Sequence, residues 1–286
     1  MGRILITGAS GNVGRYVAQY ALKNGQKITA AGTHTDTLSE MFKDRAEIVY
    51  FDFTDPKTFH GALNDVDRVF IMRPPHLGNP EDLKPFIDAL REKGGIRLVS
   101  FLSLIGVENN PFPPHHKIEK YIEQANLPYC HIRPGFFMQN ISGVHAFEIK
   151  HFNRIVVPVK KALTSFIDAE DIGEITAKVL SEPEAHQNKA YSITGPEAID
   201  YWQAAEILSK ELGREIKYVN PNPSFAKKYW IEIRGLEKEY CTVMGILYMM
   251  TRFGTAKEVT SVFEQIMGKK PRSFQQFVKK NLESWR

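Results

Sequence analysis

The sequence predicts an α/β fold built on a doubly wound parallel sheet, with a smaller mixed α/β lobe in its C-terminal half. Short apolar segments alternate with segments of helical spacing in the first half of the chain, which requires parallel pairing through right-handed crossovers. Gly8, Gly11 and Gly14 follow the first apolar segment directly. The composition, 43% hydrophobic and 24% charged over 286 residues, is that of a folded globular protein.

The alternation locates each predicted element by its apolar spacing and its turn residues. After about Gly143 the alternation of strands and helices weakens. We therefore expect a dinucleotide-binding domain of the Rossmann type over residues 1–142 and a smaller substrate or interaction lobe over 143–286. The chain may return to the core within the second half, where a capped helix is expected to run to Leu180. The predicted strands are residues 3–7, 27–31, 47–51, 68–72, 97–104 and 128–135, and the predicted helices are 12–23, 80–93 and 117–124.

Composition also limits the partners that we expect. A net charge of +4 is too small to indicate a nucleic-acid surface, and the short basic groups at 160–161 and 269–272 are expected to be solvated faces. Cys130 and Cys241 lie far apart without metal-ligand spacing, so we expect reduced thiols and a cytoplasmic location. The start of the chain lacks a signal-peptide pattern, and the apolar run 241–250 is about half of what a membrane span needs.

The glycine-rich segment TGASGNVG has the context of a phosphate-binding loop rather than that of a plain turn. Gly8 permits a sharp turn with positive φ, Gly11 allows close approach of a pyrophosphate, and Gly14 allows the helix to pack on the strand. The free amides at the start of the helix, around Asn12 and Val13, can bind the phosphates, helped by the positive end of the helix dipole. Ser10, which lies between Gly8 and Gly11, completes the predicted loop.

The end of the second strand predicts which dinucleotide binds. An acidic residue there would bind the ribose 2′-hydroxyl of NAD and repel a 2′-phosphate. This sequence has Thr33 and His34, with no acid before Asp36, so we expect NADP(H) in preference to NAD(H), although no arginine is present either. A solvent-exposed loop without ligand contact remains the alternative for Thr33 and His34.

Ligands of such sheets bind beyond the carboxyl ends of the strands, so the residues that follow each strand become candidates. After the third strand, Asp52 and Phe53 are expected near the adenine, and Asp52 can equally cap the helical turn that follows it. Arg73 and Pro74 follow the fourth strand, Ser103 the fifth and Pro134 the sixth.

The wide glycine spacing, with two residues between successive glycines, resembles the short-chain dehydrogenase/reductase superfamily in its extended or atypical branch. The resemblance implies a serine on the fifth strand and a tyrosine four residues before a lysine on the next helix. Ser103 and Lys117 match, but Pro113 stands where the tyrosine is expected, so the usual proton donor is missing.

Three further segments, RPGFFMQN, FIDAEDIGEITAKVL and ITGPEAIDYWQAAEILSKELGREIKYV, resemble the NmrA-like family over nearly the whole chain. That family contains quinone, dye and phenylpropanoid reductases and non-catalytic NADP sensors. The resemblance implies a nicotinamide and substrate site with Lys117 and Ser103 as catalytic candidates, and we add His116 as a third candidate that could replace the missing tyrosine. The cofactor contacts expected from all of these patterns are Gly8, Ser10, Gly11, Asn12, Val13, Gly14, Thr33, His34, Asp52, Phe53, Arg73, Pro74, Ser103, Lys117, Pro134 and Phe136.

Hydride transfer to a quinone fits a site without that tyrosine, because water can protonate the hydroquinone oxygens. Candidates for an apolar acceptor pocket are Phe136, Phe137, Met138 and Met249, with plain core packing as the alternative. His115 and His116 do not share a helix face, so no metal site is expected, and His116 is retained as a possible proton donor.

Three functions therefore remain open at the level of the sequence. The first is an NADPH-dependent oxidoreductase that reduces a small, flat, apolar acceptor such as a quinone. The second is a redox sensor that binds NAD(P) without turnover and passes its state to a protein partner. The third is a nucleotide-sugar epimerase, which the missing tyrosine disfavours because that chemistry removes a substrate proton. The acceptor, the partner and the oligomeric state do not follow from the sequence.

Overall fold

The computed structural model describes residues 2–286, and the chain divides into two compact units. The first unit comprises Met1–Pro134 with the later segments Ala169–Ile193 and Val262–Gly268. The second comprises Gly135–Asp168, Thr194–Ser261 and Lys269–Arg286. The chain thus returns twice to the first unit, and the units do not follow a single cut at residue 142.

The first unit is built on one seven-stranded sheet in which every neighbouring pair of strands is parallel. The strand order is β3-β2-β1-β4-β5-β6-β8, so the direction of winding reverses between β1 and β4. The second unit contains a separate parallel pair, β7 with β9. Within residues 2–286 the strands are β1 Arg3–Thr7, β2 Ile28–Gly32, β3 Glu47–Tyr50, β4 Val66–Met72, β5 Leu98–Leu102, β6 Tyr129–Pro134, β7 Arg154–Val156, β8 Lys189–Ile193 and β9 Lys217–Val219.

The helices supply the crossovers of the sheet and most of the second unit. None of those within residues 2–286 has the length and apolar content that crossing a bilayer requires. They are α1 Gly14–Lys23, α2 Thr35–Phe42, α3 Phe59–Ala62, α4 Lys84–Lys93, α5 Pro114–Gln124, α6 Gln139–Ser142, α7 Ala146–Phe152, α8 Ala169–Ser181, α9 Pro183–His186, α10 Tyr201–Leu212, α11 Pro223–Glu232, α12 Lys238–Arg252, α13 Val262–Met267 and α14 Phe274–Lys280.

The predicted fold class and the six predicted strands are confirmed, and the seventh strand is new. β8 forms the edge of the sheet beside β6, and four of its five residues are exposed or half-buried. An edge strand with so little burial has no long apolar run, so periodicity did not reveal it. The predicted helix 117–124 begins three residues earlier, at Pro114, because proline is favoured in the first turn of a helix.

Helix α8 leads into β8 and packs closely against α1. A Cβ at Gly173 of α8 would lie 2.3 Å from the Cβ of Tyr16, so the two helices touch through backbone at this point. Behind α8, the fully buried Arg68 donates to the carbonyl of Leu180 at 3.1 Å and contacts Asp67 at 2.7 Å. These contacts tie the late segment to the strands of the first unit.

The other face of the sheet carries an aromatic core. The rings of Phe51, Phe53, Phe59 and Phe86 lie with centroids 4.8 to 5.8 Å apart in mostly edge-to-face pairs. This packing holds the segment that follows β3 against α3 and α4, which fixes the position of Asp52 at the strand end.

The second unit has its own core, built from aromatic side chains of its helices. Trp230 of α11 and the C-terminal Trp285 are 1% and 0% exposed, and the indole of Trp285 donates to the carbonyl of Ile141 at 3.0 Å. Arg214 donates to the carbonyl of Trp285 at 2.6 Å, which anchors the last residues of the chain.

Candidate functional site

The loop between β1 and α1 has a shape that only glycine permits at two positions. Gly8 adopts φ of +62°, in the left-handed region. A Cβ at Gly14 would lie 2.2 Å from the carbonyl oxygen of Gly8 and 2.8 Å from its carbon, so α1 begins in backbone contact with the turn. At Gly11 the corresponding Cβ would be 3.1 Å from the same oxygen. The steric roles expected for Gly8 and Gly14 match this geometry.

The loop also offers hydrogen-bond donors. Within residues 2–286, the backbone amides of Asn12 and Val13 donate to no protein acceptor. The amide of Gly11, in contrast, donates a hydrogen bond to the carbonyl oxygen of Gly8 at 2.9 Å. No acidic side chain lies in the first turn of α1, and Ser10 and Asn12 are exposed. Two amides at the positive end of a helix dipole form a cradle for an anionic oxygen, and a pyrophosphate fits this cradle.

The end of β2 is polar and uncharged. Thr33 and His34 are exposed, and the hydroxyl of Thr33 lies 3.1 Å from Nδ1 of His34. His34 occupies the N-cap position of α2 without a capping hydrogen bond from its side chain, which leaves the start of that helix accessible. Their role as cofactor contacts stays a prediction.

Asp52 forms a local turn at the end of β3. Its carboxylate accepts from the amide and from the hydroxyl of Thr54, both at 2.8 Å, and these hydrogen bonds lower the pKa of Asp52. Phe53 is 5% exposed and its ring belongs to the aromatic core, so any cofactor contact at this position would come from the backbone.

Arg73 folds its guanidinium over the segment that follows β4. It donates to the carbonyl of Leu77 at 2.7 Å and to that of Pro74 at 3.2 Å, while its buried Nε has no hydrogen-bond partner. Burial lowers the pKa of the guanidinium, which still stays charged at neutral pH.

Beneath α5 lies a buried ion pair. Arg133 of β6 binds Glu119 in bidentate fashion, with N–O distances of 3.0 and 2.7 Å, and reaches Glu108 at 3.2 Å. Burial opposes ionisation of Glu119, but the hydrogen bonds and the positive charge of Arg133 bring the pKa of this carboxyl below its usual value. The pair fixes α5 against the ends of β5 and β6.

Two polar groups next to this pair lack partners. The hydroxyl of Ser103, 4% exposed, and Nδ1 of His115 are both buried without a hydrogen bond within residues 2–286. Burial, with the positive charge of Arg73, lowers the pKa of His115 to about 4, so its imidazole is neutral at pH 7. Buried polar atoms without protein partners are rare, and a bound ligand or an ordered water is one way in which such atoms are satisfied.

Lys117 and His116, in contrast, each have a polar partner within the protein. The ammonium of Lys117 is exposed and contacts the carboxylate of Glu81 at 2.8 Å, and this contact raises the pKa of the lysine. Tyr121 also donates to Glu81. Nδ1 of His116 lies 2.9 Å from the carbonyl of Val107. The catalytic roles predicted for Lys117 and His116 stay predictions.

The remaining predicted residues lie at the end of β6 and beyond it. The carbonyl of Pro134 accepts from the amide of Ile105 at 3.1 Å, which joins the ends of β5 and β6. Phe136 belongs to the second unit, where its ring lies 6.3 Å from that of Tyr248. Met138 is 1% exposed and belongs to the core, whereas Met249 is 40% exposed on α12.

A second group of ionisable side chains adjoins the Glu119–Arg133 pair. Ligand atoms of Glu119, Glu123 and His131 lie within 4.8 Å of one another, close enough to share a metal ion. Both oxygens of Glu119 already accept from Arg133, and Glu123 contacts Lys120 at 2.7 Å. We therefore describe this group as a buried ion-pair cluster rather than as a metal centre.

Sequence reasoning selected His116 in place of His115 and did not identify Glu119 and Arg133. His115 and Glu119 are four residues apart on α5 and so share a helix face, a spacing that could have identified the pair. Arg133 lies inside an apolar strand, where a charge requires a buried partner. Which residues meet across β5, β6 and α5 depends on the register of the sheet, which the sequence pattern does not provide.

A seven-stranded, doubly wound parallel sheet with a glycine cradle at the end of its first strand defines a dinucleotide-binding protein of the Rossmann type. The chain belongs to the NmrA-like family, whose pattern it matches over residues 1–283. The predicted family is therefore confirmed.

Known relatives cover nearly the whole chain. Prestalk A differentiation protein A of Dictyostelium discoideum is 31% identical over 98% of this chain and 93% of its own length. The uncharacterized oxidoreductase YesF of Bacillus subtilis is 30% identical over 99% and 96%. Among solved structures, the NADPH-dependent quinone oxidoreductase QOR2 of Escherichia coli, complexed with NADPH, superposes with a TM-score of 0.88 over 98% of this chain and 99% of that one. At 19% identity, this likeness shows the fold.

Proposed function

We propose that this protein is an NAD(P)H-dependent oxidoreductase that transfers hydride from NADPH to a small, flat, apolar acceptor such as a quinone. The observation that carries the proposal is the cradle at Gly8, Gly11 and Gly14 with the two unpartnered amides of Asn12 and Val13. The family supports the redox class, since YesF is named an oxidoreductase and QOR2 an NADPH-dependent quinone oxidoreductase.

The cofactor would lie along the carboxyl ends of the strands of the first unit. Asn12 and Val13 would hold the pyrophosphate, Thr33 and His34 the 2′-phosphate, and the segment at Asp52 the adenine. Such a cofactor supplies the hydride, and one proton from solvent completes the reduction to a hydroquinone.

The nicotinamide end would lie beyond β4, β5 and β6, where Arg73, Ser103 and His115 leave buried polar atoms without partners. The Ser103 hydroxyl and the neutral His115 imidazole can orient a carboxamide or a quinone oxygen by hydrogen bonding. A poorly basic imidazole holds its single N–H proton at neutral pH, so His115 acts as a donor that orients rather than as a general acid. Proton supply from water removes the need for the missing tyrosine.

We propose a cytoplasmic location on separate grounds. Cys130 and Cys241 are free thiols, both buried, and burial raises the pKa of Cys130 to about 12. A chain whose only cysteines are unpaired and unreactive fits a reducing compartment.

Cofactor choice gives a direct prediction. Replacing His34 with aspartate, H34D, adds a carboxylate at the end of β2, where it would repel a 2′-phosphate. We expect NADPH to bind about tenfold more weakly while NADH changes little, as measured by titration of the nicotinamide fluorescence. The matched control, Thr37→Asp, adds the same charge one turn along the exposed face of α2. Equal losses for both cofactors in H34D would contradict the placement.

The function itself is tested by steady-state oxidation of NADPH with a panel of quinones. We expect turnover by the wild type, and a fall in kcat/KM of about tenfold in Ser103→Ala and in His115→Phe with the NADPH dissociation constant nearly unchanged. Lys117→Ala and His116→Ala belong in the same panel, because the family resemblance assigns a role to Lys117 and His116 is the candidate proton donor. Failure to bind NADPH would refute the proposal.

Binding without turnover would favour the sensor function instead. A sensor must bind the oxidised and reduced cofactors with different affinities, because only a difference in affinity can shift its state. A protein that binds NADP⁺ and NADPH unequally and reduces neither quinones nor dyes would therefore be classed as a sensor.

A further inference from the structure

We propose that the protein forms a two-fold symmetric dimer through the exposed face of helix α12. The interface stripe consists of Val243, Ile246, Met250 and Phe253, which recur at the spacing of one helix face. Their exposed fractions are 56%, 57%, 38% and 79%. Exposed apolar residues in isolation are ordinary, but a continuous stripe of this kind marks a docking surface.

The stripe does not belong to the core of the second unit. That core takes the opposite face of α12, through the buried Cys241, Met244, Tyr248 and Thr251. The helix is therefore apolar all round over residues 240–250, where the sequence contains no charged residue. A helix of this kind is stable in water only when both faces are covered.

Charge at the two ends of the stripe identifies a second copy as the partner. Glu239 precedes Val243 by four residues and lies on the same face of the helix. At the other end, the side chain of Lys257 lies beside Gly254, with its Cδ 4.0 Å from a Cβ built on that glycine. Neither Glu239 nor Lys257 forms an ion pair elsewhere in residues 2–286.

An antiparallel pairing of two α12 helices gives both charged groups, Glu239 and Lys257, a partner of opposite charge in the second copy. With the two-fold axis beside Ile246, Val243 of one copy faces Met250 of the second copy. The same register brings Glu239 of each copy to the end of the other helix, next to Lys257. Antiparallel helices also oppose their dipoles, and a two-fold interface repeats each contact twice. The self-complementary pattern of acid, apolar stripe and base is what an isologous interface requires.

The experiment measures the mass of the full chain in solution by light scattering and sedimentation across micromolar concentrations. We expect a species of twice 32.6 kDa. Ile246→Glu would place two carboxylates at the axis and weaken dimerisation about a hundredfold or more. The control Phe112→Glu replaces an apolar side chain that is 92% exposed on the first unit, and it should leave the dimer intact.

A charge-swap cycle tests the antiparallel register. Glu239→Lys and Lys257→Glu should each weaken the dimer about tenfold, and the double variant should recover most of the loss. A wild type that stays monomeric, or a dimer that tolerates Ile246→Glu, would overturn the proposal. So would a monomer that pellets with anionic vesicles, since Lys160, Lys161 and Arg252 near Phe253 could attract a lipid surface.

Discussion

Replacing Gly14 with alanine is expected to abolish measurable NADPH binding and to lower the free energy of unfolding by about 3 kcal/mol or more. The added Cβ would lie 2.2 Å from the carbonyl oxygen of Gly8, well inside van der Waals contact. The oxygen belongs to the backbone of Gly8, and the Cβ position is fixed by the backbone of residue 14, so no side-chain rotation can relieve the overlap. The turn must open or α1 must shift, and either change displaces the amides of Asn12 and Val13.

The stability and the affinity of such variants can be measured separately. Urea unfolding gives the free energy, and nicotinamide fluorescence gives the dissociation constant of NADPH. Gly11→Ala is the informative partner, because its Cβ would be 3.1 Å from the same oxygen and needs only a small adjustment. We expect it to fold with nearly normal stability and to bind NADPH about tenfold more weakly.

The control for both variants is Gly61→Ala. Gly61 lies in α3 with no atom within 4 Å of its Cβ position, and alanine is the better helix former there. Its stability should stay equal or rise slightly, with NADPH affinity unchanged. If Gly14→Ala behaved like Gly61→Ala, the loop would be a turn without a role in binding.

Lowering the pH is expected to destabilise the fold already at pH values well above those at which carboxylates titrate. His131 is fully buried, and burial lowers its pKa to about 4 despite Glu119 and Glu123 nearby. His145 is 1% exposed, and burial together with Arg234 lowers its pKa to about 3. Both imidazoles are therefore neutral in the folded protein but bind protons near pH 6.5 when the chain unfolds.

The sign of the effect follows from proton linkage. Between the unfolded pKa near 6.5 and the folded values, the unfolded chain binds more protons, so stability falls as pH falls. From pH 7 to pH 5, each histidine costs about 2 kcal/mol, and the pair about 4 kcal/mol. Urea unfolding at a series of pH values measures this slope.

Variants separate the two histidines. In His145→Gln the amide can still bond to the hydroxyl of Tyr248, and in His131→Asn the side chain stays polar but does not titrate. Each variant should flatten the pH dependence by about one proton between pH 5 and pH 6.5. A slope that is identical in wild type and both variants would show that the acid sensitivity has another origin.

The cradle could be predicted in detail because its information is local. Gly8, Gly11 and Gly14 stand within seven residues of chain, and at Gly8 and Gly14 the backbone leaves no room for any residue other than glycine. The alternation of strands and helices likewise predicted six of the seven sheet strands. β8 was missed because a half-exposed edge strand such as Lys189–Ile193 has no strong period.

The floor of the candidate site shows the limit of such reasoning. The sequence indicated Lys117 through the lysine position of the short-chain reductase pattern and His116 as a substitute proton donor, whereas the buried polar groups next to Ser103 are His115, Glu119 and Arg133. Glu119 and Arg133 are 14 residues apart on different elements. Their pairing exists only because β5 and β6 lie side by side under α5.

The sequence by itself thus determined the fold class, the family and the steric form of the glycine loop, since each depends on short-range patterns of residue type. Only the tertiary structure decided which histidine of the pair has a buried nitrogen without a partner, which cations pair with the carboxylates, and which face of α12 is left uncovered. Those outcomes depend on strand register and helix packing, which bring together residues distant in sequence and set the dielectric around each charge.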